Sequence, residues 1–324
     1  MATGLLYSHS PTTVETLLTT TRDAVLKSKE YLNDAIFTKS TLLSHLNRNS
    51  KVTKQGGASI LVPLMYAKNS TFKAYNGDDV LDTSGMEGLT LAQATWRNYG
   101  GTIKYTGEEI RQNGAEKLAD LAKAKIKQAS MSARDKLNSD FFASSQAAKA
   151  VHCLPILIDA TSTVQSINST TYSWWQAQVN ASVGSFATNG LDKLRDTRDD
   201  ISLQGQEGAS LPDFYVTTQL IKELYESSQV ASLRYKKGDK LDPSQESMVF
   251  AGAPVEIDPN CATGELYCLS SDALEFVVHS MADWEMSEFQ KPPTQDVYIA
   301  QLIWMGNLVV SNRRRLGKLT GITA

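Results

Sequence analysis

Apolar residues between positions 110 and 141 return on a helical period. Ile110, Leu118, Leu121, Ala122, Ile126, Ala129, Ala133, Leu137 and Phe141 fall on one stripe, with no proline among them and Gly114 as the one weak helix former. Ahead of them stands Thr106-Gly-Glu-Glu109, a capping box in which the Thr hydroxyl and the Glu carboxylate satisfy N–H groups left open at a helix start. The pattern predicts a helix of ~36 residues, ~54 Å long at ~1.5 Å per residue. Helices average about 11–12 residues, so this one reads as the spine of an elongated subunit. The run before it, residues 89–105, is β-like and is interrupted by Gly100 and Gly101.

A second helical stripe lies near the N-terminus. Thr12-Thr-Val-Glu15 is another capping box, and Val14, Leu17, Leu18, Thr21, Val25, Leu32, Ala35 and Ile36 follow it, with Leu42, Leu43 and Leu46 closing the segment. Residues 51–88 separate this arm from the spine. Isolated helices are marginal in water, so its apolar face must be covered elsewhere in the chain or by another chain. Residues 56–66 read as a strand whose Pro63 suits a sheet edge. Residues 76–88 are acidic and rich in turn formers. With the return run to Tyr105 they make a long two-stranded excursion with a loose tip, which is unstable alone and must lie on something.

The rest alternates short elements. Helices are predicted over 190–201 and 219–229, and strands over 213–217, 248–250, 254–257, 265–269 and 274–279. A polar basic loop occupies 235–240. The chain closes with an apolar run over 296–305, Gly306, a second run over 307–311, and Asn312-Arg-Arg-Arg315. Helix arm, long hairpin, long helix, mixed region and terminal strand together indicate the α+β class.

Composition narrows the function. Of 324 residues, 41% are hydrophobic and 21% charged, as in an ordinary folded protein, and the net charge of −3 argues against gripping nucleic acid as the main task. No run reaches the ~18 apolar residues of a membrane span, and no signal pattern opens the chain. Cys153, Cys261 and Cys268 form no CxxC and leave an odd one, which fits a reducing compartment. Cys261 and Cys268 either face each other across a turn or are two buried thiols.

Catalytic templates fail in turn. No HExxH, GxxxxGK[ST], GxGxxG or GxSxG occurs, and His9, His45, His152 and His279 stand alone. Ser70-Thr-Phe-Lys73 matches SxxK without the accompanying SDN and KTG elements. Asp78, Asp79, Asp82 and Glu87 lack EF-hand spacing and read as a solvated loop. Trp174 and Trp175 fit core or interface packing. Arg313–Arg315 with Lys318 is the sharpest charge cluster. One short basic run on an acidic protein makes a poor nucleic-acid site, so acids of a neighbouring chain are its expected partners. No catalytic, metal or cofactor residue is assigned.

Four phrases stand out in order: Thr95-Trp-Arg with Thr102-Ile-Lys-Tyr-Thr-Gly-Glu-Glu109, then Pro212-Asp-Phe-Tyr-Val-Thr-Thr218, Phe250-Ala-Gly-Ala-Pro-Val-Glu-Ile257, and Trp304-Met-Gly-Asn-Leu-Val with Asn312-Arg-Arg. With the order of elements, they resemble the major capsid proteins of tailed bacteriophages with the Hong Kong 97 fold. The resemblance implies an N-terminal arm (1–50) that reaches a neighbour and an extended E-loop (51–105). It implies a peripheral domain with the spine helix (106–150) and an axial domain (151–295). A C-terminal strand and tail (296–324) would return to the peripheral domain. It also implies a non-enzymatic subunit that self-assembles into hexamers and pentamers around double-stranded DNA in the virion, after synthesis in the bacterial host cytoplasm.

Expected partners are other copies of the chain, a separate scaffolding protein, a portal, a decoration protein and nonspecifically the packaged DNA. With only about a dozen residues ahead of the first helix, the expectation is a separate scaffolding protein, or none. Candidate inter-subunit contacts are Leu17, Leu18 and Val25 on the arm, Asp78, Asp79, Asp82 and Trp96 in the E-loop, Lys236 and Lys237 as candidates for the capsomer centre, and Arg313, Arg314 and Arg315. The acidic loop is expected against Arg313–Arg315 of an adjacent subunit, and deletion of 1–50 is expected to leave soluble protein that forms no shells. Lys68 and Lys73 lie in the loop that crosslinks in some relatives, but no motif here supports that reaction. Rival readings are an encapsulin-type nanocompartment and an α+β enzyme whose site is assembled from distant residues.

Overall fold

A computed structural model describes residues 11–27, 40–112, 115–204, 211–233 and 248–324. Thr106 and Glu109 form the capping box: the Thr106 N–H donates to Glu109 Oε2 at 3.0 Å, and the Glu109 N–H donates to Thr106 Oγ1 at 3.3 Å. It opens a short helix, Gly107–Gln112, and the spine helix itself is Ala115–Phe141, 27 residues or ~40 Å long. The single rod expected from the stripe is therefore described in two stretches, with residues 113 and 114 outside the described residues.

Leu118, Ala122, Ile126, Leu137 and Phe141 of the spine are buried. The spine packs on the return strand Arg97–Thr106, whose Tyr105 hydroxyl donates to the Ala122 carbonyl at 3.3 Å, and Phe141 meets Phe276 edge-on at 5.8 Å.

The arm corrects an expectation. Its helix, Pro11–Lys27, lies against the spine of the same chain, and Leu18 is fully buried there. A second helix, Thr41–Arg48, buries Leu42, Leu43 and Leu46 in the same core. Four buried leucines contribute ~6–12 kcal/mol at ~1.5–3 each, comparable with the whole stability of a typical domain, about 5–15 kcal/mol. These parts of residues 1–50 belong to the subunit's own core. The sequence could not show this because residues 51–105 run out and return before the spine begins.

Two larger sheets carry most of the remainder, beside three two-stranded ones among the described residues. In the five-stranded one, the 14-residue closing strand Val297–Val310 pairs antiparallel with Arg97–Thr106 on one side and with Leu274–His279 on the other. Val52–Gln55 adds in parallel to Leu274–His279, and Glu285–Met286 completes the sheet. The return strand runs straight through Gly100 and Gly101. The interruption falls at Thr95 and Trp96, where Asn307 Nδ2 takes the Thr95 carbonyl at 2.8 Å and Trp96 Nε1 takes the Gly57 carbonyl at 2.8 Å. Gly306 does not break the closing strand either. A Cβ there would sit 2.6 Å from the Val277 carbonyl and 2.5 Å from the Trp304 ring, so only glycine allows these strands to close.

The six-stranded sheet runs in the order Met248–Phe250, Ala253–Ile257, Phe214–Thr217, Leu266–Leu269, Gly317–Leu319, Gln178–Asn180. Helices Leu191–Gln204 and Gln219–Leu233 pack on it through Leu194, Ile201, Ile221 and Tyr225. The expected boundary at 295 and 296 does not follow the sheets. Leu274–His279 joins the closing strand's sheet, whereas Gly317–Leu319 leaves that strand for the six-stranded sheet.

Candidate interaction surfaces

The excursion begins at the paired strands Ile60–Met65 and Leu89–Ala94. Alternation decides its two faces. Ile60, Val62, Leu64, Ala92 and Ala94 point inward and pack on Val277 and Val309 of the five-stranded sheet and on Ile167 and Trp175. Leu61, Met65, Leu89 and Leu91 point outward and are exposed, and Pro63 pairs only with Leu91 at the sheet edge, as its missing N–H requires.

Beyond Met65 the two runs no longer form regular strands. Residues 66–88 are held by local bonds: Tyr66 N–H to the Gly88 carbonyl (3.0 Å), Asn76 N–H to Asp79 Oδ2 (2.8 Å) and Ser84 N–H to Asp82 Oδ1 (2.9 Å). Phe72 and Val80 are 93% and 87% exposed, and Tyr75, Leu81 and Met86 are exposed too. Exposed apolar groups this concentrated mark an interaction surface.

The proposed contact residues separate. Leu17 is half-buried against the core and Leu18 is fully buried, so Leu18 cannot touch a neighbour while the arm helix sits where it does. Val25 belongs to the arm helix, its side chain outside the described residues, and Lys236 and Lys237 also lie outside them. Asp78, Asp79 and Asp82 are exposed at the hairpin tip. The turn bond from Ser84 holds the Asp82 carboxyl below its usual range. Trp96 is half-buried, edge-on to His279 at 5.0 Å, and anchors the hairpin root.

Arg313 is a further correction. Its side chain is fully buried, and its guanidinium donates to the carbonyls of Leu157 (2.8 Å), Trp175 (3.0 Å), Ser162 (3.2 Å), Ile156 (3.3 Å) and Asp159, and to Ser169 Oγ. Burial pushes it down to about 10, so it remains cationic at neutral pH. It clips the last turn of the chain to four earlier segments and is unavailable to a neighbour. Arg314 and Arg315 are only half-buried.

One group of catalytic residue types is brought together that sequence reasoning missed. His45 Nε2 lies 2.9 Å from Ser271 Oγ and 3.7 Å from Asp213 Oδ2, its ring stacked on Phe214 at 3.9 Å. Ser271 Oγ also donates to Asp213, so acid and hydroxyl share one imidazole nitrogen and no His–Asp relay exists of the kind a Ser-His-Asp triad needs. Burial alone would raise the Asp213 carboxyl, but the bonds from His45 and Ser271 outweigh it and hold it below the usual range. This cluster ties the helix Thr41–Arg48 to the six-stranded sheet. Cys153, Cys261 and Cys268 are free, buried thiols. Burial pushes Cys261 up to about 12 and raises Cys153 and Cys268, which leaves all three poor nucleophiles.

Comparison with known proteins supplies the remaining constraint. No protein-family model matches the chain, and no curated protein matches it in sequence. Solved structures do match in fold. The chain is similar to the capsid protein in the cyanophage A-1(L) asymmetric unit (14% identity, TM-score 0.66, covering 85% of this chain and 91% of that one). It is also similar to that of the bacteriophage PhiM1 mature capsid (9% identity, TM-score 0.57, 84% of each chain). A third likeness is to the holo-SrpI encapsulin of Synechococcus elongatus (8% identity, TM-score 0.52, 86% of this chain and 87% of that one). The chain thus has the Hong Kong 97-type fold that tailed-phage capsid subunits adopt.

Proposed function

We propose, from a chain with this fold, that the protein is the major capsid protein of a tailed phage, building an icosahedral shell of hexamers and pentamers around double-stranded DNA. One observation carries the reading beyond the fold. The hairpin is anchored on its own subunit by one face and presents the other face and an apolar tip to solvent, a surface that gains by meeting another copy. The mechanism is hairpin overlap with no catalytic step.

Reliable interfaces need roughly 1,000 Å². About 600 Å² of apolar burial is worth ~15 kcal/mol gross at ~25 cal/mol per Å², much of it offset by lost freedom. A single contact is modest, and several per subunit in a closed shell hold through multivalency. A separate scaffolding protein, a portal and a decoration protein are the proposed partners, with nonspecific contact to packaged DNA. The virion is the proposed location.

Negative-stain microscopy of the purified chain, alone and with phage components, is the test. Closed shells of uniform size are expected, and a monomer that stays monomeric under every assembly condition would sink the proposal. The encapsulin likeness supports a second reading, a nanocompartment around protein cargo. Shells formed by the chain alone, with protein inside and no nucleic acid, would favour it.

A further inference from the structure

At the hairpin root lies a cleft of about 410 Å³ whose walls include Met65, Tyr66, Lys68, Trp174, Arg314 and Arg315. Tyr66 stacks on Trp174 with ring centroids 5.4 Å apart and 19° between planes, and Trp174 meets Trp175 edge-on at 5.8 Å. Arg314 places one guanidinium N–H on the Ser173 carbonyl at 3.3 Å, a carbonyl rather than a carboxylate. Among the described residues, every charged side chain lining the cleft is basic. The cleft therefore combines an apolar aromatic wall with cationic groups, with no acid among its described lining residues.

The same chain carries the complement. From Asn76 to Gly88 it has Asp78, Asp79, Asp82 and Glu87 and neither Lys nor Arg. Val80 and Leu81 stand exposed between those acids. The tip does not occupy its own cleft, since its residues are exposed while the cleft lies at the root of the same hairpin. We propose that the root cleft of one copy receives the acidic tip of a second copy's hairpin. Asp78, Asp79 and Asp82 then face Lys68, Arg314 and Arg315, and Val80 and Leu81 cover Tyr66 and Trp174. This rests on the shell reading and supplies the contact that reading leaves open. Residues 66–77 span at most ~40 Å when extended, so the occupant comes from an adjacent copy. Single-stranded nucleic acid also suits a basic aromatic cleft, but the acidic net charge of the chain and the apolar pair on the tip favour the protein occupant.

Two experiments on the full chain test the contact. Cysteine is placed at Lys68 and, in three separate variants, at Asp78, Asp79 or Asp82, and assembled particles are oxidised. The native thiols are buried and do not compete. At least one pair is expected to give interchain disulfide ladders from particles and none from dissociated subunits. Separately, D78K/D79K/D82K is expected to lower particle yield about tenfold or more, since several weak pairs act together. Adding K68E/R314E in the same chain should restore it, with circular dichroism showing every variant folded. If wild-type particles form but no pair crosslinks and the combined reversal does not restore yield, the tip–cleft contact is wrong and the shell reading stands. Should K68E/R314E leave assembly intact and abolish nucleic-acid retention, the occupant is nucleic acid and the inference is overturned. Failure of the wild-type chain to assemble removes both.

Discussion

Arg313 shows how one residue can look like surface chemistry and be structural. Three consecutive arginines suggest a solvated basic patch, yet the first is buried among carbonyl groups of segments spread over residues 156–175. Arg313→Ala removes the guanidinium donor from the buried carbonyls of Leu157, Ile156 and Asp159, while those of Ser162 and Trp175 keep Ser169 Oγ as a donor, and is expected to cost about 3–5 kcal/mol, read as a lower urea midpoint. Arg313→Lys should recover little of it, because an ammonium cannot reproduce the planar fork. Histidine and carboxylates set the acid limb. Burial holds His152 below its ordinary value against the opposing Leu308 carbonyl bond, and the folded state holds Glu109 and Asp213 below theirs. Each depressed group contributes stability above its unfolded pKa that is lost as pH falls through its folded one. Stability should therefore decline first below about pH 6.5, the unfolded histidine value, and again below about pH 4, where free carboxylates titrate. Urea unfolding at a series of pH values checks this. His152→Gln should remove the first decline and Asp213→Asn should weaken the second.

At the scale of elements, caps and hairpin behave differently. The Thr106–Glu109 box closes as the spacing predicts because both partners lie within one turn, and Lys125 of the spine reaches Glu109 Oε2 at 2.9 Å. Thr106→Ala is expected to cost about 1 kcal/mol of stability, measured by thermal unfolding, with little effect on assembly. The hairpin divides at Met65: its root is core and its tip is bare. Replacing residues 69–86 with a short Gly-Ser turn should leave folding intact and abolish shells, and sedimentation with circular dichroism separates those outcomes. The strands were legible from alternation. Where the return strand parts from the hairpin was not, because Thr95 and Trp96 are held by Asn307 and Gly57, partners distant in the chain.

For the whole molecule, the buried leucines of the arm reverse one expectation. Deletion of residues 1–50 should leave a destabilised or unfolded chain rather than a soluble, assembly-deficient one, since Leu18, Leu42, Leu43 and Leu46 are core. Circular dichroism of the truncated chain decides it: a native spectrum and melting point would refute the expectation. If acid–base pairs between copies help hold the shell, assembly should weaken as salt rises from ~0.1 to ~1 M, because screening shortens from ~10 to ~3 Å. By itself the sequence determined what depends on neighbours a few residues away: the spine stripe, its cap, strand alternation, the acidic turn-rich tip and the order of elements that resembles a capsid subunit. Only the tertiary structure decided which apolar faces are spent inside the subunit, that Arg313 is core while Arg314 and Arg315 line a cleft, and that His45, Ser271 and Asp213 meet. Those outcomes depend on which distant segments come into contact, and local periodicity carries no information about that.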